Sequence, residues 1–185
     1  MATIEAIATQ RTDSTVLTVS FTSIPQTYQH LLVMCSAKNF AWSSASTIAV
    51  FNDTSGPLYT DTDYFNNRLT FNGATPSEVA GMNSTYMYNV GMDGNDTPAG
   101  CWSSSRWIIY DYANTNKNTS LISMAGTGGR NSHIHTTTYN NNIQIGASGY
   151  HENTAVTSLS LGSYSATNYG PMRGFVATLF GIKDS

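Results

Sequence analysis

The chain has 185 residues, a formal net charge of -3, 40% hydrophobic residues and only 10% charged ones. Ordinary globular domains carry roughly 25% Asp, Glu, Lys and Arg, so neutral groups make this surface polar, and Thr, Ser and Asn supply about a third of the chain. Eight Lys and Arg against eleven Asp and Glu, with no basic run, release too few counterions to hold nucleic acid by its phosphates.

In chain order, short segments rich in Val, Ile, Thr, Tyr and Phe alternate with Ser/Asn/Thr clusters, the pattern of half-buried strands joined by polar turns. Thr3 to Ala8 and Thr15 to Phe21 read as the first two strands, with Gln10-Arg11-Thr12-Asp13 as their turn. Tyr28 to Ala37 is a longer third strand, and Ser46 to Asn52, Tyr64 to Phe71 and Tyr86 to Val90 follow. The loops between them hold Asp53-Thr54-Ser55-Gly56-Pro57, Asn72-Gly73 and Asp93-Gly94-Asn95, residues that tolerate positive φ or fix it. Arg106 to Tyr112 and Leu121 to Ala125 form a hairpin about the polar turn Asn114 to Asn118. Ile143 to Ala147, Val156 to Leu161 and Phe175 to Ile182 finish the chain. About ten strands and almost no helical periodicity predict a single domain over 1–185. Its fold class is an all-β antiparallel β-sandwich of jelly-roll type, with an up-and-down barrel as the alternative.

The longest apolar stretch, Leu31 to Cys35, is far short of the roughly 20 residues of a spanning helix. The N-terminus lacks the basic-then-apolar order of a signal peptide, so the expectation is a chain made in a cytoplasm, without membrane contact. Cys35 and Cys101 belong to no metal-type or CxxC cluster, and Cys35 reads as a small buried thiol. The sequons at Asn52, Asn83, Asn95 and Asn118 arise readily in so Asn- and Thr-rich a chain.

Groups for catalysis are sparse. His133-Ile134-His135 has the i, i+2 spacing that puts two imidazoles on one strand face, a seed for a metal site if His151 or Glu152 joins them, or else a pair of exposed polar residues. Asp61-Thr62-Asp63 and Asp93-Gly94-Asn95-Asp96 resemble oxygen-rich cation loops, but turn chemistry explains both. Thr127-Gly128-Gly129-Arg130 lacks the Lys of a phosphate loop, and no nucleophile or metalloprotease motif occurs. The expectation is a non-enzyme with no cofactor.

Aromatic residues carry more information. Tyr86, Tyr88, Tyr110, Tyr112, Tyr164 and Tyr169 lie among Asn and Ser, the mixture used by carbohydrate-binding surfaces and protein interfaces. In Trp107 to Tyr112, strict alternation puts Ile108, Tyr110 and Tyr112 on one face and Trp107, Ile109 and Asp111 on the other. Both faces are apolar, so the strand is covered twice, by a neighbouring subunit or by a loop of the same chain. The expected contacts are Ile4, Ala6 and Ala8 of the first strand, with Trp107, Ile109, Tyr110 and Tyr112.

Three segments, Phe21 to Leu31, Tyr110 to Lys117 and Thr178 to Lys183, resemble small virion proteins of tailed bacteriophages, particularly those infecting aquatic bacteria. The resemblance implies a jelly-roll sandwich on the particle exterior without catalytic activity. A chain made in the host cytoplasm, free of disulfides and mildly acidic, suits that place, since it does not adhere to packaged DNA. The leading expectation is a head decoration, or cement, protein, a homotrimer over junctions between subunits of the major capsid protein. The alternative is a tail-fibre or spike domain that binds host-surface carbohydrate; a free-standing carbohydrate-binding module of an enzyme ranks third.

Overall fold

A computed structural model describes residues 2–13, 16, 18–39, 45–52, 64–71, 76–84, 86–92, 102–128, 142–165, 168–170 and 172–183. Its strands are β1 (Thr3–Thr12), β2 (Thr18–Phe21), β3 (His30–Asn39), β4 (Ala45–Phe51), β5 (Tyr64–Phe71), β6 (Pro76–Ser84) and β7 (Met87–Met92). They continue with β8 (Trp102–Tyr110), β9 (Thr119–Gly128), β10 (Asn142–Tyr150), β11 (Leu159–Ser165), β12 (Asn168–Gly170) and β13 (Met172–Lys183). Eight strands form a large sheet in the order β1-β13-β3-β8-β9-β10-β5-β6, and a smaller sheet runs β12-β11-β4-β7 with β2 also on β11. All pairings between described strands are antiparallel, and the two sheets make a β-sandwich.

Alternation decides what lies between the sheets. Leu31 and Val33 of β3, Trp107 and Ile109 of β8, and Phe175, Ala177 and Leu179 of β13 point inward and are buried. The smaller sheet meets them with Phe21, Ala49, Phe51, Met87, Leu159 and Leu161. Burying each large apolar side chain contributes about 1.5–3 kcal/mol, so this interior supplies most of the force that holds the sandwich.

The described residues hold thirteen strands, two more than the eleven segments named from the sequence. The additions are β6, an edge strand that begins with Pro, and the three-residue β12. Gln10 to Thr12 are strand rather than turn, because β1 stays paired with β13 as far as Thr12 while β2 joins the other sheet. The predicted strand at Val156 starts later, at Leu159; Val156 itself is buried and its N–H bonds the Tyr112 carbonyl.

A further departure matters for the site. Asp111 takes a φ of 50°, a left-handed conformation that ends β8 and breaks its alternation. Tyr112 therefore turns into the interior rather than lying beside Ile108 and Tyr110, and its hydroxyl donates to the Pro25 carbonyl.

Candidate interaction surface

The outer face of the large sheet is apolar. Register places Ala6, Phe180, Leu32, Ile108, Ile122 and Ala147 in one row across six strands. The next row runs Met34, Arg106, Met124, Ile145, Leu69 and Glu78, from β3 to β6. A third holds Ser104, Gly126, Ile143, Phe71 and Pro76. Ile143 is 59% exposed, Met124 43% and Phe71 40%, and Met34, Leu69 and Ile122 are exposed as well.

Beneath this face the pattern is inverted. From Ile143 to Ser148 of β10 the buried residues are Gln144, Gly146 and Ser148, while Ile143, Ile145 and Ala147 face out; Gly149 and Tyr150 at its end are buried as well. Several of the polar groups inside pair with one another or with backbone carbonyls. Ser148 Oγ donates to Asn66 Oδ1 at 2.8 Å, Asn66 Nδ2 donates to the Tyr86 carbonyl at 3.0 Å, and Ser123 Oγ reaches the Gly146 carbonyl at 3.4 Å. This strand buries Gln144 and exposes two isoleucines, and contiguous exposed apolar patches are a common feature of interaction sites. Small residues at Ser36, Ser104 and Gly126 leave a depression of about 560 Å³ in the face, walled by Met34, Arg106, Met124 and Ile143. A side-chain carbon added at Gly126 meets nothing within 4 Å.

The expected contact residues divide between this face and the interior. Ile4 and Ala6 are exposed on the outer face, and half-buried Tyr110 lies there with its ring edge-on to His30 at 5.2 Å. Ala8 follows a bulge in β1 and packs half-buried against the core. Trp107, Ile109 and Tyr112 are fully buried inside the sandwich, so a partner on the outer face touches none of them. The second layer over Trp107 and Ile109 is therefore the protein's own smaller sheet. Sequence reasoning missed Ile122, Met124, Ile143 and Ile145; alternation in β9 and β10 marks two faces without saying which is inside.

Of the other tyrosines, Tyr86 is buried. The side chains of Tyr88, Tyr164 and Tyr169 lie outside the described residues, as do Asp61, Asp63, Asp93, Asp96, Cys101, Arg130, His133 and His135. His151 sets its ring edge-on to Phe65 at 5.2 Å, and Glu152 is exposed. Among the described residues, no three His, Cys, Asp or Glu side chains come together as a metal site, and no helix is long and apolar enough to cross a membrane. Cys35 is buried with its sulfur 2.8 Å from Ser105 Oγ, and burial pushes its pKa up to about 11. Asn52, a sequon residue at φ 54°, uses its side chain internally: Oδ1 accepts from the Thr157 N–H at 2.8 Å and Nδ2 donates to the Ala155 carbonyl at 2.9 Å.

The segments 21–31, 110–117 and 178–183 converge at one end of the sandwich. Asp111 N–H donates to His30 Nδ1 at 3.1 Å, Gln29 N–H donates to the Ile182 carbonyl at 2.8 Å, and Tyr112 reaches Pro25. The Tyr28 ring lies against Gly181, where any side-chain carbon would collide with it. Its hydroxyl donates to Glu5 at 3.0 Å, while Lys183 sits over the ring and pairs with Glu5 at 3.2 Å. Beside this contact is a polar hollow of about 400 Å³ lined by Tyr28, Gln29, Asp111 and Ala113 to Asn116. No protein-family model matches the chain, and no curated protein matches its sequence.

Proposed function

We propose that the protein is a non-enzymatic structural component of a tailed-phage virion, a head decoration protein seated as an oligomer over junctions between major capsid subunits. The observation that carries this reading is the apolar outer face of the large sheet, which in β9, β10 and β5 lies above buried Ser123, Gln144, Ser148 and Asn66, a surface suited to burial against a neighbouring subunit. Strand order supports the jelly-roll form. Numbered along the chain, β1, β2, β3, β4, β7, β8, β11 and β13 pair as 1-8-3-6 in one sheet and 2-7-4-5 in the other, the arrangement of two interlocked Greek keys. The remaining strands of the large sheet, β9, β10, β5 and β6, extend it beyond β8 and widen the face.

Mechanistically, a protein that binds only the assembled shell shifts the equilibrium toward that state. Particles made without this chain are expected to release DNA at a lower temperature and to regain resistance when the purified protein is added back. Unchanged heat resistance would remove the cement role.

The polar hollow at Tyr28 favours a second reading, a fibre or spike domain that holds a sugar between an aromatic ring and amide side chains. Glycan binding lost on Asn114→Ala would support that reading over decoration.

A further inference from the structure

We infer that a second copy of this chain covers the outer face of the large sheet, across a two-fold axis running along β10. The inference rests on the reading that this face is buried in an assembly, and it adds what buries it.

A half-turn about a line along β10 keeps every row of the face and exchanges the strands on either side of it. Strand β9 then lies over β5 of the second copy, and β8 over β6. Three of the exchanges bring complementary groups together, while Ile122 lies opposite the second copy's Asn67. Ile143 and Ile145 lie on the axis and meet their own equivalents. Met124 meets the second copy's Leu69. Phe71, 40% exposed, meets the second copy's Gly126, where the depression of about 560 Å³ stands open.

Charge follows the same symmetry. Among the described outward residues of β8, β9, β10, β5 and β6, the charged ones are Arg106 and Glu78. They occupy one row, each two strands from Ile145, on opposite sides. The half-turn sets Arg106 of each copy against Glu78 of the other, so the contact is isologous, with no cation or anion left facing isoleucine. A face five strands wide and three rows long covers roughly 490 Å² per copy, or about 1,000 Å² in the pair, near the lower bound for a specific interface. The contact closes at two copies, in place of the expected trimer.

Sedimentation of the full chain over a concentration series tests this. A dimer is expected, and Arg106→Glu alone or Glu78→Arg alone should weaken it at least about tenfold. An equimolar mixture of the two variants should restore it, because in the mixed dimer one contact pairs the two reversed charges with each other and the second keeps the original Arg106 and Glu78 pair. Gly126→Leu should also weaken association while leaving the far-ultraviolet spectrum unchanged, since it extends into the open depression from a Cβ with nothing of its own chain within 4 Å. A monomer, or a trimer indifferent to both charge reversals, overturns the inference. Heat protection of particles by a monomeric wild-type protein would overturn it while leaving the decoration reading intact. A dimer that particles do not need would support it and remove that reading.

Discussion

Gln144 and Ile145 are neighbours in β10 with opposite surroundings: the amide is 5% exposed and the isoleucine 41%. The hydrocarbon of a lone domain is better placed the other way round, and on the proposed reading a neighbouring subunit covers this isoleucine. Ile145→Ser is accordingly expected to change the urea-unfolding free energy of the isolated monomer by no more than about 0.5 kcal/mol. The same substitution should lower incorporation into particles, measured as copies per particle on a stained gel.

Trp107 sits two positions from Ile109, and both are fully buried by the protein's own second sheet. Trp107→Ala should cost about 3–5 kcal/mol in denaturant unfolding, the range for emptying a large aromatic site. Tyr112→Phe removes one hydrogen bond, to the Pro25 carbonyl, and should cost about 0.5–1.5 kcal/mol. Burial also raises the Tyr112 pKa, so its hydroxyl stays protonated as the donor over the physiological range.

Cys35 should be inert. With its pKa pushed up to about 11, roughly one thiol in a thousand is thiolate at pH 8. Alkylation of the native protein by iodoacetamide is therefore expected to be far slower at Cys35 than in urea, read by mass spectrometry of the peptide. Equal rates would mean that β3 and β8 open readily around it.

Glu5 is held below its ordinary pKa by the hydrogen bond from Lys183, then by that from Tyr28. A carboxyl with a lowered folded-state pKa contributes stability above its unfolded value and loses it as the pH falls through the folded one. The difference in melting temperature between the wild type and Glu5→Gln should thus be largest near neutrality. It should vanish below the ordinary carboxylate range, and a difference that persists there would place the effect elsewhere.

The sandwich was legible wherever β-branched and aromatic residues alternate, as in β3, β8 and β13. It was not legible in β6, whose Pro76-Ser-Glu-Val-Ala-Gly-Met-Asn-Ser has one β-branched residue and begins with proline, a composition that suits an edge and gives a weak strand signal. Part of the exposed face could be read: Ile4 and Ala6 lie on it. Tyr112 could not, because alternation assumes that the strand continues, and the left-handed turn at Asp111 stops it. Nor could the sense of β10, since period two gives two faces and only the position of β7 across β9, β10 and β5 determines which is covered.

On the proposed reading this face is buried between subunits on a phage head. Cryo-electron microscopy of purified particles tests it most directly, by fitting the sandwich to density and counting its copies. The expected result is hundreds of copies on the capsid lattice with Ile143 and Ile145 enclosed by a neighbouring chain. A few copies at the tail, or a lattice of copies whose large-sheet face is open to solvent, would contradict it.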